Sequence, residues 1–145
     1  LKIPAGLSAG IDVVACDLRA LPFPDGFFRC VLLSVVIETL PDADSALAEV
    51  VRVLAPGGLL LCNMPGMEDA IAGIDMQPVG ENHFLYHGRY YYHFLGEAEA
   101  RLLLERHGLE VRRVRLCRWR EEAHPEFRPD EHLHASRVFL AAKRV

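Results

Sequence analysis

The order of buried strands and amphipathic helices predicts an α/β domain with a largely parallel sheet. Three observations carry that reading. Short β-branched or leucine-rich runs without polar alternation recur at residues 11–16 (IDVVAC), 29–36 (RCVLLSVV) and 59–63 (LLLCN), as in strands covered on both faces. Between the second and third, Ala46, Leu47, Val50, Val51 and Leu54 repeat at helical spacing. Two further strand-like runs, 109–120 and 137–143, follow with no obvious helix between them, which predicts an antiparallel hairpin at one edge.

The first strand is expected to end at Asp17, and Pro22, Pro24 and Asp25-Gly26 mark the loop after it. The first helix opens at Pro41-Asp42-Ala43-Asp44, with Asp42 or Asp44 as N-cap, and Pro56-Gly57-Gly58 stops it. Residues 65–95 are rich in Gly, His and Tyr and weakly periodic; so long an excursion reads as a lid or a substrate-binding insertion. A second helix follows Gly96, with Ala98, Leu102, Leu103 and Arg106 on a related face and Gly108 closing it. In a sheet of this kind ligands sit beyond the C-terminal strand ends. Asp17-Leu18, Ser34-Val35-Val36 and Asn63-Met64-Pro65 therefore share one rim.

Composition bounds the function. The 145 residues are 51% hydrophobic and 25% charged, enough for one domain with a core, and the net charge of −4 argues against binding nucleic acid by bulk charge. The charge is uneven: residues 1–100 carry 5 basic and 13 acidic groups, residues 101–145 carry 11 and 7. The basic excess, mostly Arg between 101 and 120, is either a face for an anionic substrate or a solvated surface. No apolar run approaches the ~20 residues that cross a bilayer, and no secretory signal is evident, so no membrane partner is expected. Cys16, Cys30, Cys62 and Cys117 are scattered without a CxxC, which predicts four buried thiols in a reducing cytoplasm.

Residues 17–62 resemble the class I S-adenosylmethionine (SAM)-dependent methyltransferases, especially the type 11 group. The pattern D-x-x-x-L-P-F-x-D-x-x-F, a strand, L-P-D and E-x-x-R-V-L-x-P-G-G is met by Asp17, Leu21-Pro22-Phe23, Asp25, Phe28, Leu40-Pro41-Asp42, Glu49, Arg52-Val53-Leu54 and Pro56-Gly57-Gly58. Residues 93–111, HFLGEAEARLLLERHGLEV, fit the helix-Gly-strand ending. The resemblance implies a partial Rossmann-like methyltransferase sheet, mostly parallel with an antiparallel C-terminal hairpin, and helices on both faces. It also implies S-adenosyl-L-methionine as cofactor. Asp17 would accept from the adenine amino group, Leu18 would line the adenine pocket, and Ser34 and Val35 would lie under the methionine moiety. Taken alone, Asp17 equally suits a turn or cap. Arg29 and Glu38-Thr39 stand where the family usually has Asp and often His-His. The family's E/D-x-G-x-G-x-G loop, whose glycines allow close backbone approach, has no counterpart in these residues. The domain is therefore expected to be incomplete at its N-terminal side, or to act with a complementary subunit, or to be a non-catalytic partner domain or homo-oligomer.

The acceptor is expected to be a small molecule or RNA. His83, Tyr90, Tyr91 and His93 are the candidate substrate wall, able to stack on a planar group or take a proton, or else to pack a lid on the sheet. Arg89-Tyr90-Tyr91-Tyr92-His93-Phe94 resembles, with one extra Tyr, the R-Y-Y-H-x-F segment of methyltransferases that esterify carboxymethyl-uridine at the tRNA wobble position. This makes tRNA the narrower alternative. His124, His132 and His134 offer imidazoles, the last two on one face of a strand, but no Cys or carboxylate spacing completes a zinc pattern, so no metal is expected.

Overall fold

The structure, a computed structural model, describes residues 12–124 and 129–145. The main sheet has four strands in the order β1 (Phe28–Leu33), β2 (Leu54–Pro65), β7 (His132–Lys143), β6 (Leu109–Glu121). β1 and β2 are parallel, and β7 is antiparallel to both β2 and β6. Three strands thus run one way and β7 alone runs back, as the expected C-terminal hairpin requires.

Helix α1 (Ala43–Val53) carries the chain from β1 to its parallel neighbour β2. Asp42 is its N-cap: Oδ1 accepts from the Ser45 N–H at 3.0 Å. At its other end Lys143 donates to the Val51 and Leu54 carbonyls at 2.7 and 2.8 Å, so a cation from the last strand satisfies acceptors at the helix C-terminus. The sequence motif turns out to be a brace. Arg52 donates to the Leu21 and Phe23 carbonyls, to Asp25 and to both oxygens of Glu49, and Glu49 also accepts from the Leu21 N–H. L-P-F-x-D and E-x-x-R are therefore one network that ties the 21–25 loop to α1. The hydrogen bonds from Arg52 hold the Glu49 carboxyl down at about 2.

Helix α2 (Glu97–Arg106) precedes β6, and Gly108 follows it at φ +76°, the left-handed closure that Gly tolerates. Its buried residues are Ala100, Leu103 and Leu104, whereas Leu102 is 66% exposed. The expected face through Ala98 and Leu102 is thus rotated, because Leu104 packs inward one residue past Leu103. Leu47 and Val50 of α1 join Leu103 and Leu104 of α2, Leu60, Cys62 and Met64 of β2, and Phe139 of β7 in one core. Arg106 and His107 meet Asp44 at the start of α1.

Both described helices therefore cover the same face of the sheet, not one face each. On the opposite face Leu32 is 65% exposed, and Leu59 and Trp119 are exposed as well. Cys30 is exposed on that side, Cys16 is exposed in the loop, Cys117 is half-buried and only Cys62 is buried, which corrects the expectation of four buried thiols. Of the expected first strand, Ile11 lies outside the described residues. Residues 12–16 form no strand, since no described strand lies beside them to take their hydrogen bonds.

Residues 65–95 are more ordered than their weak periodicity predicts. They form an antiparallel meander of β3 (Met76–Gly80), β4 (His83–Tyr86) and β5 (Tyr90–His93) around Ile71, Met76, Tyr86 and Phe94. Pairing between neighbours stands in for a buried face, so no long apolar run announces these strands. The Leu95 N–H donates to the Pro65 carbonyl at 2.9 Å and holds the end of the meander against the tip of β2.

Candidate functional site

β1 ends at Leu33, and the chain turns sharply at Val35, whose φ of +55° is the left-handed region that a β-branched residue rarely enters. The strain is held by a bond across the rim: the Val35 N–H donates to Asn63 Oδ1 at 2.9 Å, and Asn63 Nδ2 donates to Ser136 Oγ at 3.2 Å. A non-Gly residue held this way where strands end is a common feature of functional sites. After Val35 a 3₁₀ turn over Ile37–Thr39 drives Glu38 into the interior.

Between this rim and the meander lies a cavity of about 250 Å³. Glu38, Asn63, Asp69, Glu121, His134 and Ser136 supply its polar lining, and Val35, Tyr92, Phe94 and Trp119 are among the apolar ones. Glu38 is 1% exposed and its Oε2 has no hydrogen-bond partner. Burial raises its pKa to about 7, outweighing backbone hydrogen bonds at Glu38 and Val36 that act the other way. Cys62 is pushed up to about 12 by burial and then by the nearby Glu38 charge. A buried carboxyl with a free oxygen complements a cationic or hydrogen-bond-donating ligand group.

The rim residues read from sequence fall in two places. Val35 lines the cavity, and Ser34 with Val35 lines a neighbouring depression on the open sheet face beside Leu32 and Trp119. Leu18 lies in an apolar depression with Leu21, Phe28 and Val31. Asp17 lines none of these. Its Oδ1 accepts from the Arg19 N–H and Nε at 2.9 and 3.0 Å and its Oδ2 from Nη2 at 2.8 Å, and this pairing lowers its pKa to about 2.

The expected substrate wall also divides. The His83 Nδ1 bonds the Tyr91 hydroxyl, and His83 stacks on His93 with ring centroids 3.8 Å apart. Burial lowers the His93 pKa, and the neighbouring His83 adds to this. Arg89 sits over the Tyr90 ring at 4.5 Å, and Tyr90 and Tyr91 line a shallow pocket with Thr39 and Pro41. Tyr92 alone of the tyrosine run faces both that pocket and the cavity. Glu38 was legible as the one carboxylate in an apolar stretch. Asp69 and Glu121 carried no local signal, because only the fold brings them to β7.

Sheet order, the reversed β7 and a cavity at the parallel strand ends define a Rossmann-like α/β fold. Residues 2–62 match the family described as a methyltransferase domain. The ubiquinone/menaquinone biosynthesis C-methyltransferase UbiE of Desulfotalea psychrophila is 47% identical over 53 residues, 37% of this chain and 22% of that protein. The chain thus spans only about a fifth of the length of that relative in the match. Among solved structures, a SAM-dependent methyltransferase from Methanosarcina mazei aligns with a TM-score of 0.68 at 20% identity, over 89% of this chain and 65% of that one. The 1,6-didemethyltoxoflavin-N1-methyltransferase of Burkholderia thailandensis, solved with its substrate and S-adenosylhomocysteine, aligns at TM-score 0.65 and 18% identity over 91% and 50%. Among the described residues no helix is long and apolar enough to cross a membrane.

Proposed function

We propose that this chain supplies the cofactor rim and acceptor cavity of a SAM-dependent methyltransferase acting on a small molecule. The observation that carries the reading is the unpartnered Glu38 Oε2, buried beside the strained Val35 turn at the parallel strand ends. SAM supplies a methyl group on a sulfonium, which needs alignment with an electron-rich atom and exclusion of water more than covalent help. Glu38 would hold a cationic group by charge, the backbone at Ser34 and Val35 would lie under the methionine part, and Asp17 and Leu18 would meet the adenine. Asp17 would exchange an Arg19 bond for that contact.

The cavity walls favour a small, planar acceptor. Tyr92, Phe94 and Trp119 offer ring faces, while Glu38, Asp69 and Glu121 would repel a phosphate backbone. That lining supports a metabolite over tRNA. The family match ends at residue 62, before the meander that walls the cavity, so the quinone pathway named for the relatives does not carry over to the acceptor.

The test is calorimetric titration of the 145-residue chain, and of a version extended upstream, with S-adenosylhomocysteine. Saturable binding by either one supports the reading, and loss of that binding in Asn63→Ala, which removes the acceptor for the Val35 N–H, assigns it to the rim. Binding by the extended form alone assigns the rest of the cofactor site to residues outside these 145. Absence of binding by both overturns the reading in favour of a non-catalytic partner domain.

A further inference from the structure

The pairing of β6 with β7 builds a second arrangement on the open sheet face. Glu121 lies directly opposite His132 in the antiparallel register, and Trp119 lies opposite His134. Directly opposed residues share a face, and so do residues two apart on one strand. Glu121, His132 and His134 therefore converge, one ligand atom from each lying within 4.8 Å of the others. The carboxylate that spacing along the chain fails to supply comes from the neighbouring strand.

The hydrogen bonds around the two imidazoles set their tautomers. His134 Nδ1 is 3.0 Å from Asp69 Oδ2, a carboxylate that can only accept when ionised, so Nδ1 carries the proton. His132 Nδ1 is 2.9 Å from the Asp130 carbonyl, again an acceptor, so the same holds there. Both Nε2 lone pairs are then left facing each other at 3.0 Å, with Glu121 Oε2 2.8 Å from the His134 Nε2. Three electron-pair donors at such separations repel unless a proton or a cation lies among them. For metal–ligand bonds of about 2.0–2.1 Å in tetrahedral geometry, neighbouring ligand atoms stand roughly 3.3 Å apart, so little movement is needed.

Asp69 completes the arrangement. It is 4% exposed, accepts from the Ile71 and Ala135 N–H groups as well as from His134, and so fixes the ring from behind. A carboxylate that orients a ligating histidine through its far nitrogen is the usual outer support of a metal site. Trp119 stacks on His134 with centroids 5.0 Å apart and restricts it further.

We propose that Glu121, His132 and His134 bind a divalent transition-metal ion of the zinc type, with Asp69 as the positioning residue. Nitrogen and carboxylate ligands of this kind suit zinc, cobalt, nickel and iron(II) over calcium or magnesium. Three protein ligands leave at least one coordination position open. Glu121 and His134 also line the cavity, so the open position gives on to it, and an oxygen- or nitrogen-bearing molecule there completes the shell. Metal binding itself does not depend on methyl transfer. Only its use on an acceptor rests on the function proposed above, and the two titrations fail separately.

The test titrates the metal-free 145-residue chain with Zn²⁺ by calorimetry and with Co²⁺ by visible absorption, using far-UV circular dichroism to confirm that each variant is folded. One ion per chain is expected, with cobalt d–d bands and no thiolate charge-transfer band. Glu121→Gln and His132→Gln, both at the sheet margin, each weaken binding at least tenfold, and His87→Gln, in the exposed turn between β4 and β5, leaves it unchanged. Asp69→Asn weakens it about 10–100-fold, the effect typical of outer-shell partners. Absence of saturable binding, affinity in the Glu121 and His132 variants unchanged from that of the unsubstituted chain, or a thiolate band that points to the exposed Cys16 and Cys30 would each overturn the proposal.

Discussion

Glu38 offers the sharpest test of how the buried site is held. Its carboxyl titrates near 7 in the folded chain against 4.5 as the ordinary value, because burial disfavours the charged form. Below about pH 4.5 the group is protonated in both folded and unfolded chains and has no effect on stability. As pH rises toward 7 the unfolded chain ionises while the folded one stays protonated, so folding becomes progressively less favourable. Above 7 both are ionised and the penalty is constant. The displacement from 4.5 to about 7 corresponds to about 3 kcal/mol lost across that window. Glu38→Gln keeps the shape but cannot ionise. Urea unfolding of both proteins from pH 4 to 8.5 should give curves that coincide at the acid end and separate to about 3 kcal/mol by pH 8, the variant being the more stable. Parallel curves would refute the assignment of a neutral, buried Glu38. A cationic ligand reaching this carboxyl would hold it ionised, so SAM should release more protons on binding at pH 7 than S-adenosylhomocysteine. Titration in buffers of different ionisation enthalpy reads that difference.

Other consequences are as direct. Leu104→Ala, at a fully buried position, should cost about 2–5 kcal/mol in urea unfolding, whereas Leu102→Ala two residues earlier should stay within about 0.5 kcal/mol. Equal effects would mean that α2 is rotated from the orientation described. Asn63→Ala removes the acceptor for the Val35 N–H and should destabilise by about 1 kcal/mol while weakening S-adenosylhomocysteine binding, which unfolding and calorimetry measure separately. Under native conditions a thiol reagent should label Cys16 and Cys30 first and spare Cys62, whose buried thiol is pushed up to about 12, until denaturant is added. Mass mapping that finds Cys62 labelled first would contradict the burial of β2.

The sequence by itself determined the elements whose signals are local. The helix start at Asp42 or Asp44, the glycine beyond α2 and the apolar runs of β1 and β2 all depend on contacts within a few residues, whereas α1 ends at Val53 and the expected stop at Pro56-Gly57-Gly58 lies within β2. The motif from Asp17 to Gly58 was legible as an ordered set of residues, and Arg52 with Glu49 shows that much of it braces a distant loop instead of doing chemistry. What neighbouring elements decide was not legible. The meander of residues 65–95 is held by pairing between its own strands, which leaves little periodicity to read. Local pattern marks a thiol or a leucine as apolar, but exposure depends on what packs above it, so Cys30 and Leu32 lie open while Cys62 does not. Histidine spacing along one strand gave two imidazoles and no third ligand. Only the register of β6 against β7 brought Glu121 opposite His132, and only the fold brought Asp69 behind His134. Register and long-range contact are set by the packing of the whole sheet, and no single stretch of chain encodes them.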